Sequence, residues 1–155
     1  MAYWLFKSEG ACYGIDDLKR DKKTAWTGVR NFQARNFMMK DMSVGDRVFF
    51  YHSNGTKLEP TGIYGLAKVV SKAHVDETQF DKKDEHYDSK STKEAPIWWC
   101  VDIAYVKKTK EPIALSYIKI DPNLKDIAVA QTGSRLSIQP VSQAHGDYVC
   151  MLIDE

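Results

Sequence analysis

Short strand-like segments separated by glycine-containing turns are the feature that most restricts the fold of this chain. Ile97–Val106 is the strongest of them, and the turns at Gly45-Asp46 and Gly133-Ser134 precede two others. Strands are predicted at Tyr3–Lys7, Arg47–His52, Gly62–Ser71, Ile97–Val106 and Leu136–Ile138. Scattered short strands of this kind favour a small, partly open barrel over a layered parallel sheet.

The helical segments are few and short. They are predicted at Ile15–Lys19, Asn31–Lys40, Ser116–Ile120 and Ser142–Leu152. Asn31 and Ser142 are residue types that cap helix N-termini. Phe80–Glu94 is polar and mixed in charge, which is typical of a long surface connection. The sequence therefore predicts one α+β domain over residues 1–155, with five or six strands and short flanking helices.

The charge balance and cysteine usage restrict the class of function. A formal net charge of +1 gives no broad positive field, so any contact with nucleic acid is expected to be local and selective. No apolar run approaches the ~18 residues of a membrane span, and the first residues lack a signal-peptide pattern. The three cysteines show no CxxC spacing, which favours reduced thiols. We therefore expect a cytoplasmic protein that does not contact membranes.

The stretch Trp26–Phe37, WTGVRNFQARNF, is the richest in residues suited to ligand binding. Arg30 and Arg35 lie at the start of a predicted helix, where basic side chains oppose the helix dipole unless an anion docks there. Trp26 offers a stacking face, and Gly28 permits a tight turn. These groups suit an unstacked nucleobase with its phosphate. The alternative is an ordinary core helix whose Arg side chains extend along the surface.

Four further segments carry candidate binding groups. Lys7-Ser8-Glu9 ends the first strand, and Ser53 ends another beside His52. Adjacent residues on a strand face opposite sides, so one of Trp98 and Trp99 is expected in the core and the other is free to stack on a ligand. The same alternation places Arg135, Ser137 and Gln139 on one polar face near the C-terminus, as a donor-rich wall or an exposed edge. By itself each segment is also explained by a plain turn or a surface position, and for the segment with His52 and Ser53 a plain hairpin turn is the favoured explanation.

Catalytic signatures are absent from the sequence. The four histidines show neither HxxxH nor HxH spacing, and the chain contains no GxSxG motif and no P-loop. The cysteines have no evident histidine partner in sequence. We therefore predict a non-enzymatic protein without metal or cofactor.

Eight segments in order resemble the EVE-domain family over nearly the whole chain, from Tyr3 to about Val141. They are YWLFKSE, WTGVRNFQARNFM, GDRVFFYHSN, GIYGLAKVV, TQFD, YDSKS, PIWWCVDI and GSRLSIQPV. The resemblance implies a PUA-like fold, a mixed β pseudo-barrel with helices at its edges. It also implies a reader of modified nucleobases in DNA or RNA. Gly10, Phe32 and Lys40 depart from the family's usual Pro, Tyr and Arg.

The family motifs also imply which residues bind. They are Lys7, Ser8, Glu9, Trp26, Arg30, Asn31, Arg35, Ser53, Trp98, Arg135 and Ser137. The resemblance favours Trp98 over Trp99 as the pocket residue.

In the resulting hypothesis a flipped-out base stacks on one of two tryptophans, while polar groups contact its edges and basic groups hold the phosphates. The stacking candidates are Trp26 and Trp98. The edge contacts are assigned to Ser8, Asn31 and Ser53, and the phosphate contacts to Lys7, Arg30, Arg35 and Arg135. The alternatives are a nuclease or other small hydrolase using His52 with Lys7 or Glu9, and a domain that binds small molecules or proteins.

Overall fold

The structure, a computed structural model, describes residues 1–155 and contains eight strands. The strands are β1 (Tyr3–Glu9), β2 (Lys23–Ala25), β3 (Arg47–Ser53), β4 (Gly62–Val69), β5 (His74–Val75), β6 (Trp99–Cys100), β7 (Asp102–Ala114) and β8 (Ile138–Val141). Six of them form one sheet in the order β2-β7-β4-β3-β1-β8, while β5 and β6 pair separately. β1 and β3 are parallel, and the other pairs are antiparallel.

Four α-helices flank the strands. They are α1 (Ile15–Asp21), α2 (Phe32–Asn36), α3 (Leu115–Ile120) and α4 (Gln143–Asp154). A π-helical turn at Phe37–Asp41 continues α2, and 3-10 turns occur at Glu77–Phe80 and Ala128–Ala130. The predicted caps are confirmed, because Asn31 accepts a hydrogen bond from the Ala34 N–H and Ser142 accepts one from the His145 N–H.

Both faces of the sheet are buried, as the alternating side chains of β1 show. Trp4 and Phe6 point into a core that α1 and α2 cover, while Tyr3 and Leu5 point into a second core beneath α3 and α4. At Gly146 of α4, an added Cβ would lie 2.1 Å from the Tyr3 ring, so the helix packs against β1 without a side chain there. The predicted α+β fold, a mixed β pseudo-barrel with short flanking helices, is confirmed.

Two predicted strands differ from the structure. The Ile97–Val106 segment is interrupted at Val101, and β7 continues to Ala114 through a charged run. The side chain of Gln79 binds the N–H and C=O of Trp98, which holds this residue outside the sheet. β8 begins at Ile138, so Arg135 and Ser137 precede it, and its Gln139 is buried rather than exposed.

The two edge strands of the curled sheet define its seam. β2 pairs only with β7, and β8 pairs only with β1. Residues from the regions of both edges line a single cavity, so the seam is where the fold leaves room for a ligand.

Candidate functional site

The seam cavity has a volume of about 600 Å³. This lies within the roughly 300–1,000 Å³ of ordinary ligand pockets. Its walls come from β1, from β2 and the segment that follows it, from the Glu85-His86 segment, and from the residue just before β8. The cavity thus combines the N-terminal and C-terminal parts of the chain. Six of the residues predicted to bind line it: Lys7, Ser8, Glu9, Trp26, Arg30 and Ser137.

Trp26 is half-buried and lines the cavity. Its ring packs against Phe6 at 5.4 Å and meets Phe50 edge-on at 5.6 Å. The backbone N–H of Trp26 donates to the Val101 carbonyl at 2.9 Å. The core therefore fixes the indole on one side, while another part of the Trp26 side chain lines the cavity.

Gly28 forms the next part of the wall and has a φ of +86°, a conformation that favours glycine. A Cβ at this position would lie 2.8 Å from the His86 ring, so the absence of a side chain lets the imidazole approach the backbone. The sequence predicted a turn or a close approach here, and the structure shows both. Val29 and Arg30 follow, and their backbone N–H groups form no hydrogen bond within the protein.

Arg30 holds three segments of the chain together. Its guanidinium donates to the His86 carbonyl at 2.7 and 2.9 Å, to Thr78 Oγ1 at 3.0 Å and to the Val29 carbonyl at 3.0 Å. It also forms an ion pair of 3.0 Å with Asp76. All five N–H donors are thereby used. The phosphate contact assigned to Arg30 stays a prediction, while in the structure this side chain positions the cavity wall.

The carboxylate of Asp76 is almost inaccessible to solvent and accepts from the Gly28 N–H at 2.8 Å as well as from Arg30. Burial alone would raise the pKa of Asp76, but hydrogen bonds from Thr78, Gly28 and Arg30 outweigh it and lower the pKa. Asp76 is therefore ionised and neutralises Arg30. Sequence reasoning missed this residue because it lies far from Arg30 along the chain.

On the β1 side of the cavity, several polar side chains already form hydrogen bonds within the protein. Ser8 Oγ donates to the Tyr13 carbonyl at 2.6 Å, and Lys7 Nζ donates to the Ser134 carbonyl at 2.9 Å. Burial lowers the pKa of Lys7. Glu9 accepts from Asn54 Nδ2 at 3.1 Å. By contrast, the hydroxyl of Ser137 has no partner within the protein, so it remains able to bind a ligand.

The other five predicted residues lie outside the cavity lining. Asn31 caps α2, and Ser53 Oγ donates to the Ser8 carbonyl at 3.3 Å. Arg35 donates to the Ile97 carbonyl at 2.9 Å and to the side chain of Asn36. Arg135 is exposed and unpaired.

Trp98 is buried, contrary to the expectation that it would be free to stack on a ligand. Phe32 stacks on it with ring centroids 4.9 Å apart, and its Nε1–H donates to Asp88 at 2.8 Å. The partly exposed tryptophan is Trp99, which lines a second cavity of about 500 Å³ with Met38, Met39 and Met42.

Several lining residues were missed by sequence reasoning. They include Cys12, Tyr13, Thr24, Glu85 and His86. The last two belong to the Phe80–Glu94 connection, whose unusual length was the available signal. Glu9 and Glu85 are exposed carboxylates of the lining, which also contains the cations Lys7 and Arg30.

His52 does not line the cavity, although the hydrolase alternative required it there. Its Nε2 accepts a hydrogen bond from the Ile15 N–H at 3.1 Å, and its ring stacks on Tyr64 at 3.9 Å. An Nε2 that accepts is unprotonated, so His52 is neutral in this arrangement. The geometry thus gives His52 a structural role between β3 and α1. No group of three His, Cys, Asp or Glu residues is arranged to hold a metal ion.

We expect the stability of the protein to fall on acidification because of His52. Burial lowers the pKa of His52 below its ordinary value of about 6.5. The unfolded chain therefore takes up the proton first, and stability is lost as the pH falls from about 6.5 through the lower folded pKa. Melting temperatures of wild type and His52→Gln should converge on acidification, whereas His145→Gln should follow wild type throughout. Parallel curves for wild type and His52→Gln would contradict this assignment.

None of the helices is long and apolar enough to span a membrane. The curled sheet, its flanking helices and the cavity at its seam define a PUA-like α+β fold. The EVE-domain model matches residues 2–152, and the chain therefore belongs to the EVE-domain family.

Relatives and solved structures agree with this assignment. Thymocyte nuclear protein 1 of Gallus gallus is 42% identical, over 99% of this chain and 69% of that protein. The crystal structure of human THYN1 in complex with DNA containing 5-methylcytosine has a TM-score of 0.88 and 39% identity, and covers 100% of this chain and 99% of that one. A crystal structure from Pseudomonas syringae has a TM-score of 0.90 and 40% identity, with 97% and 99% coverage.

Proposed function

We propose that this chain is a nucleic-acid-binding module in which the seam cavity receives a base turned out of its strand. The observation that most directly supports this proposal is the cavity itself, which is lined by a fixed aromatic ring and by polar groups that have no partner within the protein. Trp26 supplies the stacking surface. The N–H groups of Val29 and Arg30 and the hydroxyl of Ser137 supply hydrogen-bonding groups for a base edge.

The free-energy balance sets the preferred substrate. Turning a base out of a duplex costs a few kcal/mol, and stacking on an aromatic side chain returns ~1–3 kcal/mol per base. Ordinary duplex should therefore bind weakly. A base that is unpaired, or whose modification adds contacts inside the cavity, should bind more tightly. The complex of human THYN1 with DNA containing 5-methylcytosine makes that base the first to test.

A titration of matched oligonucleotides tests the proposal. Fluorescently labelled DNA and RNA of one sequence, single- and double-stranded, would carry cytosine, 5-methylcytosine, 5-hydroxymethylcytosine, adenine or N6-methyladenine at one central position. At least one modified or unpaired probe should bind about tenfold more tightly than unmodified duplex, a difference of about 1.4 kcal/mol. Equal affinity for every probe would overturn base reading. The absence of binding to any probe would overturn nucleic-acid binding itself.

A further inference from the structure

The positive side chains of the protein differ in whether internal partners already bind them. Arg20, Lys107 and Lys108 form ion pairs with Asp21, Asp154 and Asp16 respectively. Arg30 has no donor left. Lys22, Lys23 and Arg135 are all exposed, and none forms a salt bridge or a side-chain hydrogen bond within the protein.

These three unpaired cations lie close along the chain to residues that line the cavity. Lys23 begins β2, whose next residues Thr24 and Ala25 line the cavity, and Lys22 lies immediately before it. Arg135 belongs to the segment before β8, between Ser134, which binds Lys7, and Ser137, which lines the cavity. Cations are thus present at both edges of the seam, with the cavity between them.

We propose that a nucleic-acid strand crosses the seam, with its backbone phosphates held by Lys22 and Lys23 at one edge and by Arg135 at the other. This inference rests on the proposed function and specifies its phosphate contacts. Lys22, Lys23 and Arg135 do not line the cavity, so phosphates bound to them stay outside while the base enters. Lys22 and Lys23 interact as point charges, and the Arg135 guanidinium can bind a phosphate through two N–H groups.

The salt dependence of binding distinguishes phosphate contacts from other effects. The logarithm of the association constant falls linearly with the logarithm of the salt concentration, and each phosphate contact contributes about 0.9 to the slope for duplex and about 0.7 for single strands. A lost contact should therefore reduce the slope by about 1. Phosphate contacts carry no sequence information, so preference among bases should remain unchanged.

The experiment compares two variants with a matched control. A DNA containing one central 5-methylcytosine would be titrated at several salt concentrations between about 50 and 200 mM. Lys22→Gln/Lys23→Gln and Arg135→Gln should each reduce the slope, and their effects should add. Lys110→Gln removes a charge that is also exposed and unpaired, from the part of β7 beyond the partners of β2, and should leave the slope unchanged.

The outcomes separate this inference from the proposed function. An unchanged slope in both variants would overturn the phosphate assignment even if the wild type binds, and so would an equal decrease in Lys110→Gln. Absence of binding by the wild type would overturn both proposals. A reduced slope with an unchanged affinity ratio between 5-methylcytosine and cytosine probes would support the two-edge arrangement.

Discussion

Replacing Asp76 with alanine is expected to lower the free energy of unfolding by about 3–5 kcal/mol, because it leaves the charge of Arg30 without its buried partner. The Asp76 side chain is only 1% exposed, and that of Arg30 is 21% exposed. The substitution also removes the acceptor of the Gly28 N–H and of Thr78. Chemical denaturation monitored by fluorescence measures the effect.

A second ion pair of similar length provides the control. Lys107 and Asp154 are 2.9 Å apart, compared with 3.0 Å for Arg30 and Asp76, but both side chains are much more exposed than those of Arg30 and Asp76. Asp154→Ala should therefore change stability by less than about 1 kcal/mol. Similar small effects from both alanine variants would show that the Arg30 network does not hold the cavity wall.

Replacing Trp26 with leucine is expected to weaken binding of the preferred DNA by about 1–3 kcal/mol, or roughly 5- to 150-fold. Leucine retains apolar contact with Phe6 and Phe50 but loses the flat surface on which a base stacks. Fluorescence anisotropy with the 5-methylcytosine probe measures the change, and thermal melting verifies that the variant is folded.

Trp99→Leu is the matched control, because Trp99 is also partly exposed but lines the second cavity. It should bind the same DNA with wild-type affinity. If the two variants lose affinity to the same degree, the loss reflects a general change in the protein, and the role of Trp26 would be rejected.

Local chemistry and the family resemblance were sufficient to predict much of the architecture. Asn31 and Ser142 cap helices as predicted, because a cap depends on residues within one turn. The turn at Gly28 was also predictable from its neighbours. The extension of β7 to Ala114 was not predictable from local sequence, because its charged run forms a strand by pairing with β4.

The site was only partly predictable, because long-range partners decide which side chains are free. The hydrogen bonds of Arg30 to Asp76 and to the His86 carbonyl could not be predicted, because both partners lie far from it along the chain. Trp98 is buried because Phe32 and Asp88 engage its ring and its N–H. Lys22 and Lys23 cannot be told from other surface lysines in the sequence, and only the position of β2 at the seam distinguishes them.

The most direct test of the central claim is a two-dimensional NMR titration of the protein with DNA containing one 5-methylcytosine. If a base enters the seam cavity, the indole N–H of Trp26 and the backbone amides of Val29 and Arg30 should show the largest changes. The indole N–H of Trp99 and the amides of Met38 and Met42 should remain unchanged. The largest changes at the second cavity, with Trp26 and Val29 unaffected, would contradict the account.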